Sequence, residues 1–272
     1  MNKSLDKQLI RQTFDTVAPG YDRPALRFFH DSAQHLVEHL ELDGGEHVLD
    51  VATGTGAVAL TLAPCLPHGR VTGIDLSEGM LRQATDKAGE RGLGNVVFQA
   101  MDMTELAFPE AHFHAATAAF ALFFVEDMEA CLRGIVRRLQ AGGRVASCVF
   151  AEGSFSPNVE LFAARLQRYG VPMPPQRWLR LSREEQNRGL YAAVGLEAIE
   201  VARRDLSYLL PDADGWWEVL WNAGFRGLLG QLSETDLARF RAEHLAEIAA
   251  LDQGRGIPLR IEVLYARGRK PG

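Results

Sequence analysis

The 272-residue chain lacks several features that would place it in a special class of protein. It has no N-terminal apolar stretch of the kind that signal peptides carry, and no uninterrupted apolar run of about 18 residues. Basic residues are also few: 29 Lys and Arg stand against 35 Asp and Glu, a formal net charge of −6. Nucleic-acid partners are therefore disfavoured, and we expect a cytoplasmic protein without a membrane span.

Cysteine is scarce as well. The three cysteines, Cys65, Cys131 and Cys148, form no Cys-x-x-Cys pair and have no neighbouring histidine at a metal-ligand spacing. Each lies in an apolar segment, so we expect buried, reduced thiols and no metal site. The chain also has no repeats, and 47% of it is hydrophobic, which fits one large domain or one domain with a cap.

The most informative stretch that is present is HVLDVATGTG at residues 47–56, followed by an Ala- and Leu-rich run. This pattern predicts a strand, a tight turn and a helix whose N-terminus approaches a ligand. Gly54 and Gly56 supply positive φ angles and room for close backbone approach. Asp75 ends the next strand, 19 residues after Gly56, where an acid can accept hydrogen bonds from both ribose hydroxyls. We therefore predict a nucleoside-bearing ligand.

Strands alternate with helices between about residues 48 and 150, which is typical of a parallel α/β sheet with right-handed crossovers. After the first strand, further strands are predicted at 70–75, 96–100, 113–120 and 144–150. Helices are predicted at 77–91 and 128–139, with Ser77 as an N-cap. Ligands of such sheets bind beyond the carboxyl ends of the strands, where Gly54, Asp75 and Asp102 fall.

The flanking regions give a weaker pattern. Before the core we expect helices at 4–15, capped by Ser4, and at 26–42. The proline-rich segment 151–190 predicts one helix with irregular chain. Further along, the predicted elements are a strand at 196–208, helices at 212–224 and 233–251, and a final strand at 259–267. We divide the chain into an N-terminal helical cap segment (1–42), a ligand-binding core (43–150) and a C-terminal half (151–272).

Five segments resemble the class I S-adenosylmethionine-dependent methyltransferases, nearest to the UbiE-like, or type 11, group. They are FDTVAPGYD at 14–22, DVATGTG at 50–56, GIDLSEGML at 73–81, QAMDM at 99–103 and LQAGGR at 139–144. The resemblance implies a Rossmann-like fold: a mostly parallel seven-stranded sheet flanked by helices, with helical cap segments. It also implies S-adenosyl-L-methionine as cofactor and an enzyme that transfers its methyl group.

The resemblance further implies roles for individual residues toward that cofactor. The turn at Thr53–Gly56 would face the methionine part, Asp75 the ribose, and Leu76 and Met80 the adenine. Asp102 would accept from the adenine amino group and the Met103 N–H would donate to a ring nitrogen. The complete predicted set is Tyr21, Ala52, Thr53, Gly54, Gly56, Asp75, Leu76, Met80, Asp102, Met103, Ala119 and Phe120.

Four of these residues, and His114 outside the set, need comment. Ala119 or Phe120 would meet the amine of the cofactor's methionine part, and Tyr21 could close over that end. Ala52 stands where the family motif has its first glycine, and His114 stands where the fourth strand often begins Phe-Asp. Neither departure puts cofactor binding in doubt.

The acceptor is harder to read from the sequence. We predict a small, aromatic or partly apolar acceptor, methylated on oxygen, nitrogen or carbon, whose choice depends on residues 151–258. Candidate lining residues are Phe123, Phe124, Trp178 and the pair Trp217 and Trp221, which otherwise form a core stripe of their helix. The arginines at 165, 168, 177 and 180 favour a solvated basic face, and His244 a solvated helix face. No residue is predicted as a general base, although His30 and His35 lie near the N-terminal segment.

Several alternatives stay open. A nicotinamide site would want a third glycine where Ala59 stands. A macromolecular methyltransferase acting on RNA or protein would use the same cofactor half, and an aminopropyltransferase would want grouped acids for a polycationic substrate. A non-catalytic S-adenosylmethionine-binding module would bind the cofactor without turnover. The chain is predicted to be a monomer or a homodimer.

Overall fold

A computed structural model describes residues 3–272, with side chains described from residue 6 onward, so the side chain of Ser4 lies outside the described residues. The chain forms two compact units. The helical unit comprises residues up to Phe28, Gly153–Gln176 and Asp205–Glu262, and the sheet unit comprises Phe29–Glu152, Arg177–Arg204 and Val263–Gly272. The division of the sequence at residues 42 and 150 stays a prediction.

The helices are α1 (Lys3–Val17), α2 (Phe28–Glu38), α3 (Ala57–Leu62), α4 (Glu78–Glu90), α5 (Met128–Arg138), α6 (Asn158–Arg168), α7 (Glu184–Ala193), α8 (Ala213–Asn222), α9 (Arg226–Leu229) and α10 (Glu234–Ala249). The strands are β1 (His47–Val51), β2 (Arg70–Asp75), β3 (Val96–Ala100), β4 (Phe113–Ala119), β5 (Leu139–Phe150), β6 (Glu197–Asp205), β7 (Tyr208–Leu210), β8 (Ile257–Leu259) and β9 (Glu262–Arg269). Short 3₁₀ turns lie between several of them.

The sheet unit is built on seven strands in the order β3-β2-β1-β4-β5-β9-β6. Strands β1 to β5 pair in parallel, whereas β9 runs antiparallel to β5. Every residue of β1 is buried, as expected for a central strand covered on both faces. This confirms the mostly parallel, Rossmann-like sheet predicted from the sequence.

The strand order reverses beside β1, whose neighbours are β2 on one side and β4 on the other. Asp50 of β1 is in register with Gly73 and with Thr117, so the carboxyl ends of the three strands lie together. Such a reversal is where open α/β sheets bind ligands. Gly73 is required here, because a Cβ at this position would lie 2.6 Å from the Phe98 ring and 2.9 Å from Thr53 Oγ1.

The helical unit packs α6, α8 and α10 around buried aromatic rings. The Phe162 ring lies 5.6 Å from that of Phe225 and 5.8 Å from that of Phe240, between ring centroids. Within this core, Trp216 Nε1 donates to His244 Nε2 at 2.9 Å. His244 is 0% exposed, so its predicted place on a solvated face was wrong. Its partner lies 28 residues away in the chain, and no local pattern reports it.

Several element bounds differ from the prediction. The predicted strand 196–208 ends at Asp205, and Tyr208–Leu210 pairs instead with Ile257–Leu259 as a separate ribbon. The segment 151–190 holds two helices, α6 and α7, rather than one. Strand β5 begins at Leu139, five residues before the predicted start. The predicted Gly142-Gly143 turn is a bulge inside the strand: Gly142 has φ 73°, and the pairing with β4 shifts register there.

Some side chains also differ from expectation. Cys131 and Cys148 are buried as predicted, but Cys65 is exposed, because it lies in a surface 3₁₀ turn after α3. The core tryptophan of α8 is Trp216, whereas Trp217 and Trp221 are half-buried and stack on each other, their centroids 5.7 Å apart. None of the helices in residues 3–272 combines the length and the apolar character that a membrane crossing requires.

Candidate cofactor site

In the turn after β1, every second residue has a left-handed backbone conformation: φ is 54° at Ala52, 55° at Gly54 and 85° at Gly56. Gly56 is packed, since a Cβ there would lie 3.1 Å from the Ala84 Cβ. Gly54 is different, because a Cβ there would meet no atom of the described residues within 4 Å. The turn therefore presents bare backbone at Gly54 to open space at the sheet edge, as a ligand cradle needs.

Two non-glycine residues at this edge adopt strained backbone conformations. Ala52 follows β1 at φ 54° and Phe120 follows the neighbouring β4 at φ 50°. The left-handed region costs an L-residue with a Cβ about 1–2 kcal/mol. Such strain persists where the surroundings over-determine it and clusters at ligand sites.

Asp75 is held against the turn by two backbone donors. The Gly54 N–H donates to its Oδ2 at 2.8 Å, and the Ser77 N–H donates to its Oδ1 at 2.9 Å. The Ser77 hydroxyl in turn accepts from the Met80 N–H at 3.0 Å and caps α4, as predicted. The half-buried carboxylate is thus fixed beside the bare backbone of Gly54.

Asp50 is a functional residue that the sequence prediction left out of the site. Its carboxylate is buried and accepts from Thr53 Oγ1 at 2.6 Å and from Thr117 Oγ1 at 2.7 Å. Burial raises its pKa to about 6, and the two hydroxyl hydrogen bonds oppose the rise. Asp50 fastens the turn and β4 to β1. The available signal was an acid inside an otherwise apolar strand.

The Thr53 hydroxyl is therefore directed at Asp50, which leaves the backbone of Thr53 as its part of the turn. Beyond β3, Asp102 Oδ1 accepts from the Thr104 N–H and hydroxyl, each at 2.8 Å. Leu76 is half-buried and Met80 is 1% exposed. Apolar and carboxylate groups thus follow β2 and β3 at the same sheet edge.

Four aromatic side chains of the sheet unit form what we call the aromatic wall: Phe29, Phe120, Phe150 and Trp178. The Phe120 ring stacks on Phe150 with centroids 4.3 Å apart, and Phe29 meets Phe120 edge-on at 5.3 Å. Trp178 meets Phe150 edge-on at 6.3 Å. The wall stands next to the carboxyl ends of β4 and β5.

Eleven of the twelve predicted site residues lie in the sheet unit, at the ends of β1 to β4. The twelfth, Tyr21, belongs to the helical unit, where its ring meets that of Phe14 edge-on at 6.2 Å. Within residues 3–272, His, Cys, Asp and Glu side chains form no group of three that could hold a metal ion.

The profile of the family described as "Methyltransferase domain" matches residues 48–143. The chain is 32% identical to the aklanonic acid methyltransferase DauC of Streptomyces sp. (strain C5), over 65% of this chain and 82% of that protein. It is 31% identical to the ubiquinone/menaquinone biosynthesis C-methyltransferase UbiE of Bdellovibrio bacteriovorus, over 64% and 74%. The chain belongs to the class I S-adenosylmethionine-dependent methyltransferases. Within them it is UbiE-like.

This methyltransferase also matches a relative along nearly its whole length. The nocamycin O-methyltransferase of Saccharothrix syringae is 28% identical over 94% of this chain and 96% of that protein. Among solved structures, the YcgJ protein of Bacillus subtilis has a TM-score of 0.61 at 22% identity, covering 89% of this chain and 99% of its own. That likeness confirms the fold.

The residues present fit S-adenosyl-L-methionine, the cofactor of this methyltransferase. The open space at Gly54 accommodates a ligand where a Cβ would intrude, and Asp75 offers a fixed carboxylate beside it. Asp102 and Leu76 supply an acceptor and an apolar surface at the next strand ends.

Proposed function

We propose that the turn at Thr53–Gly56, Asp75 and Asp102 hold S-adenosyl-L-methionine in this enzyme. The Asp75 carboxylate accepts from the ribose hydroxyls, and Asp102 accepts from the adenine amino group. The turn faces the cofactor's amino-acid end, with the N-terminus of α3 near its carboxylate. The observation that carries the proposal is the 2.8 Å hydrogen bond from the Gly54 N–H to Asp75, which joins turn and acid at one point.

The remaining predicted residues complete the same arrangement. Leu76 and Met80 bracket the adenine ring, and the Met103 N–H donates to a ring nitrogen. The carbonyl edge at Ala119 and Phe120 meets the cofactor's amine. Supporting this, Leu76 and Met103 follow β2 and β3, Met80 lies in the first turn of α4, and Ala119 and Phe120 lie at the end of β4.

We propose further that the acceptor is a small molecule with an aromatic or partly apolar body. In the aromatic wall, the half-buried rings of Phe29 and Trp178 give a flat molecule a surface to pack on, above the buried rings of Phe120 and Phe150. The names of the relatives point the same way, since aklanonic acid, nocamycin and the quinones are small molecules.

Methyl transfer from a sulfonium is an in-line displacement, so the protein mainly holds donor and acceptor together and excludes water. A general base is needed only where the acceptor must lose a proton to become nucleophilic. The proposal assigns no side chain that role.

The role of Asp102 is tested with two nucleosides that differ at one group. S-inosylhomocysteine carries an oxygen where S-adenosylhomocysteine carries the amino group that Asp102 would accept from. We expect wild-type enzyme to prefer S-adenosylhomocysteine by about tenfold or more in calorimetric titrations, because a mismatched buried group is left unpaired. Asp102→Asn, whose amide can donate, is expected to reduce or invert that preference. An unchanged preference would contradict the assignment.

The acceptor class is tested by following radiolabelled methyl groups from S-adenosylmethionine. We expect label to enter hydroxylated polycyclic probes such as alizarin or 2-hydroxy-1,4-naphthoquinone, and to do so less in Trp178→Ala. The matched control is Leu179→Ala, the exposed neighbour outside the aromatic wall. Label that enters only bulk RNA or protein would favour a macromolecular methyltransferase, and binding without any transfer would favour a non-catalytic module.

A further inference from the structure

Two arginines of the sheet unit donate to four successive backbone carbonyls of the loop after β4. Both lie in the 3₁₀ turn Arg177–Arg180. Arg177 Nη1 donates to the Phe124 carbonyl at 2.9 Å. Arg180 Nη1 donates to Val125 at 2.6 Å and to Phe123 at 3.3 Å, and its Nη2 donates to Glu126 at 2.6 Å. Arg180 is exposed, as the sequence predicted, and Arg177 is half-buried, but both use their guanidinium donors on carbonyls of this loop.

We propose that Arg177 and Arg180 are positioning residues for methyl transfer, which hold the loop after β4 in the shape that the cofactor's amino-acid end requires. This rests on the proposed function, in which the end of β4 meets the cofactor's amine. Neither arginine is expected to touch cofactor or acceptor. We call the two arginines and the four carbonyls of residues 123–126 the arginine clamp.

The guanidinium N–H donors match the backbone carbonyls that they bind. The 3₁₀ turn Leu122–Phe124 ends at these carbonyls, and the carbonyl end of a helical turn carries partial negative charge that favours a cation. A guanidinium presents several donors in one rigid plane, so Arg180 can serve three carbonyls at once. A lysine at the same place is a point charge and cannot span them.

The clamp matters because the near end of the loop is strained. Phe120 has φ 50°, which is a genuine outlier for a bulky residue, and its N–H donates to the Cys148 carbonyl at 2.8 Å. A residue keeps such a conformation only where the surrounding structure over-determines it. With the far end of the loop released, the backbone at Phe120 relaxes toward ordinary φ values and the carbonyl edge at Ala119 turns away.

The same turn also links the loop to the aromatic wall. Trp178 lies between the two arginines in the chain and meets the Phe150 ring, on which Phe120 stacks. The clamp therefore sets the cofactor's amino-acid end and part of the acceptor surface together. One element positions both reactants.

The segment that carries the clamp has an independent anchor. Arg183 Nε and Nη2 donate to the two carboxylate oxygens of Glu152 at 3.0 and 2.9 Å, and the Glu152 N–H donates to the Ser182 carbonyl at 3.1 Å. Removing the Arg180 side chain therefore leaves the segment attached. Loss of the Arg180 side chain therefore affects the loop after β4, while residues 177–183 stay attached.

The test compares two ligands that differ only at the amino-acid end. 5′-Methylthioadenosine has the adenosine of S-adenosylhomocysteine but lacks its amine and carboxylate. In Arg180→Gln we expect affinity for S-adenosylhomocysteine to fall about fivefold or more, as for a lost hydrogen bond, with affinity for 5′-methylthioadenosine within about twofold of wild type. The affinity of Arg180→Lys for S-adenosylhomocysteine is expected to lie between those of wild type and Arg180→Gln.

The matched control is Arg188→Gln, which removes an exposed arginine that donates to one carbonyl, that of Ile199, away from the loop. It should leave both affinities unchanged. Should Arg180→Gln fail to fold, Arg177→Gln removes the bond to the Phe124 carbonyl, and we expect the same selective loss of S-adenosylhomocysteine affinity, smaller in size.

The outcomes separate the clamp from the proposed function. If wild-type enzyme binds both ligands equally, the amino-acid subsite at β4 is wrong and the proposed function needs revision. If wild type discriminates and both arginine variants keep that discrimination, the clamp is overturned. Equal weakening toward both ligands also overturns it, because that is the signature of a general structural role.

Discussion

At the scale of single residues, the site depends on one buried acid and one exposed-edge acid with different tasks. Asp50 has its oxygens occupied by Thr53 and Thr117 inside the sheet, so it braces the turn. Asp75 lies at the strand end and is aimed by the Gly54 and Ser77 N–H groups. The first carboxylate is enclosed in the sheet, whereas the second lies at the sheet edge, where we propose that it meets the ligand.

The titration of Asp50 gives a prediction with a definite sign. Its pKa is about 6 in the folded protein against 3.8 for the free group, so the folded state binds more protons between these values. Stability therefore falls as pH rises from about 4 to 6, by about 3 kcal/mol from this group. In Asp50→Asn the side chain does not titrate, so this fall in stability is absent.

Urea unfolding of wild type and Asp50→Asn at pH 4, 5, 6 and 7 measures the effect. We expect the difference in unfolding free energy to shift in favour of the variant as pH rises. A difference that stays constant across this range would contradict a native pKa near 6.

At the scale of elements, the N-terminus of α4 connects stability with binding. Ser77 caps the helix through the Met80 N–H, while its own N–H holds Asp75. Ser233 caps α10 in the same way, through the Asp236 N–H at 3.1 Å, but in the helical unit. The two serines form a matched pair with equal helix chemistry and different surroundings.

We expect Ser77→Ala and Ser233→Ala each to lose about 1 kcal/mol of unfolding free energy, because each removes one N-cap. Only Ser77→Ala should also weaken S-adenosylhomocysteine binding, since the frayed first turn carries Met80 and adjoins Asp75. Denaturant unfolding and calorimetry on the same preparations check both statements. Equal affinities of the two variants for S-adenosylhomocysteine would show that the Ser77 N-cap does not contribute to binding.

The sequence predicts the sheet and its ligand turn well because both depend on local signals. The apolar run broken by Gly54 and Gly56 indicates a strand and its end, and parallel strands bring their carboxyl ends to one edge. The arginine clamp had no such signal, because Arg177 and Arg180 bind backbone carbonyls 53 to 57 residues earlier, and carbonyls are the same in every residue. His244 was misplaced for a related reason: its partner is the distant Trp216.

At the scale of the whole molecule, acid affects the two units differently. In the helical unit, burial lowers the pKa of His244 to about 4 from 6.5, and its neighbours there are Trp216, Glu247 and Arg165. In the sheet unit, burial lowers the pKa of His47 to about 4, but Asp50 titrates in the opposite sense. Of these three groups, the two histidines destabilise their units in acid, and Asp50 offsets part of that loss in the sheet unit.

A histidine with a lowered pKa costs stability as pH falls below its unfolded value. Between pH 6.5 and 4, His244 is expected to remove about 3 kcal/mol from the helical unit. Hydrogen exchange at pH 7 and pH 5 should show protection lost in α8 and α10 before it is lost in β1. His244→Gln keeps an acceptor for Trp216 and removes the titration, so it should abolish that order; a uniform loss in wild type would contradict the account.

We propose that Asp75, held by the turn after β1, binds the ribose of S-adenosylmethionine. Calorimetric titration of S-adenosylhomocysteine into wild type, Asp75→Ala and Asp86→Ala tests it most directly, since Asp86 is an exposed acid of α4 that serves as the control. We predict that Asp75→Ala weakens binding about tenfold or more, as for two lost hydrogen bonds, and that Asp86→Ala binds as wild type does. Affinity within about twofold of wild type in Asp75→Ala would contradict the account.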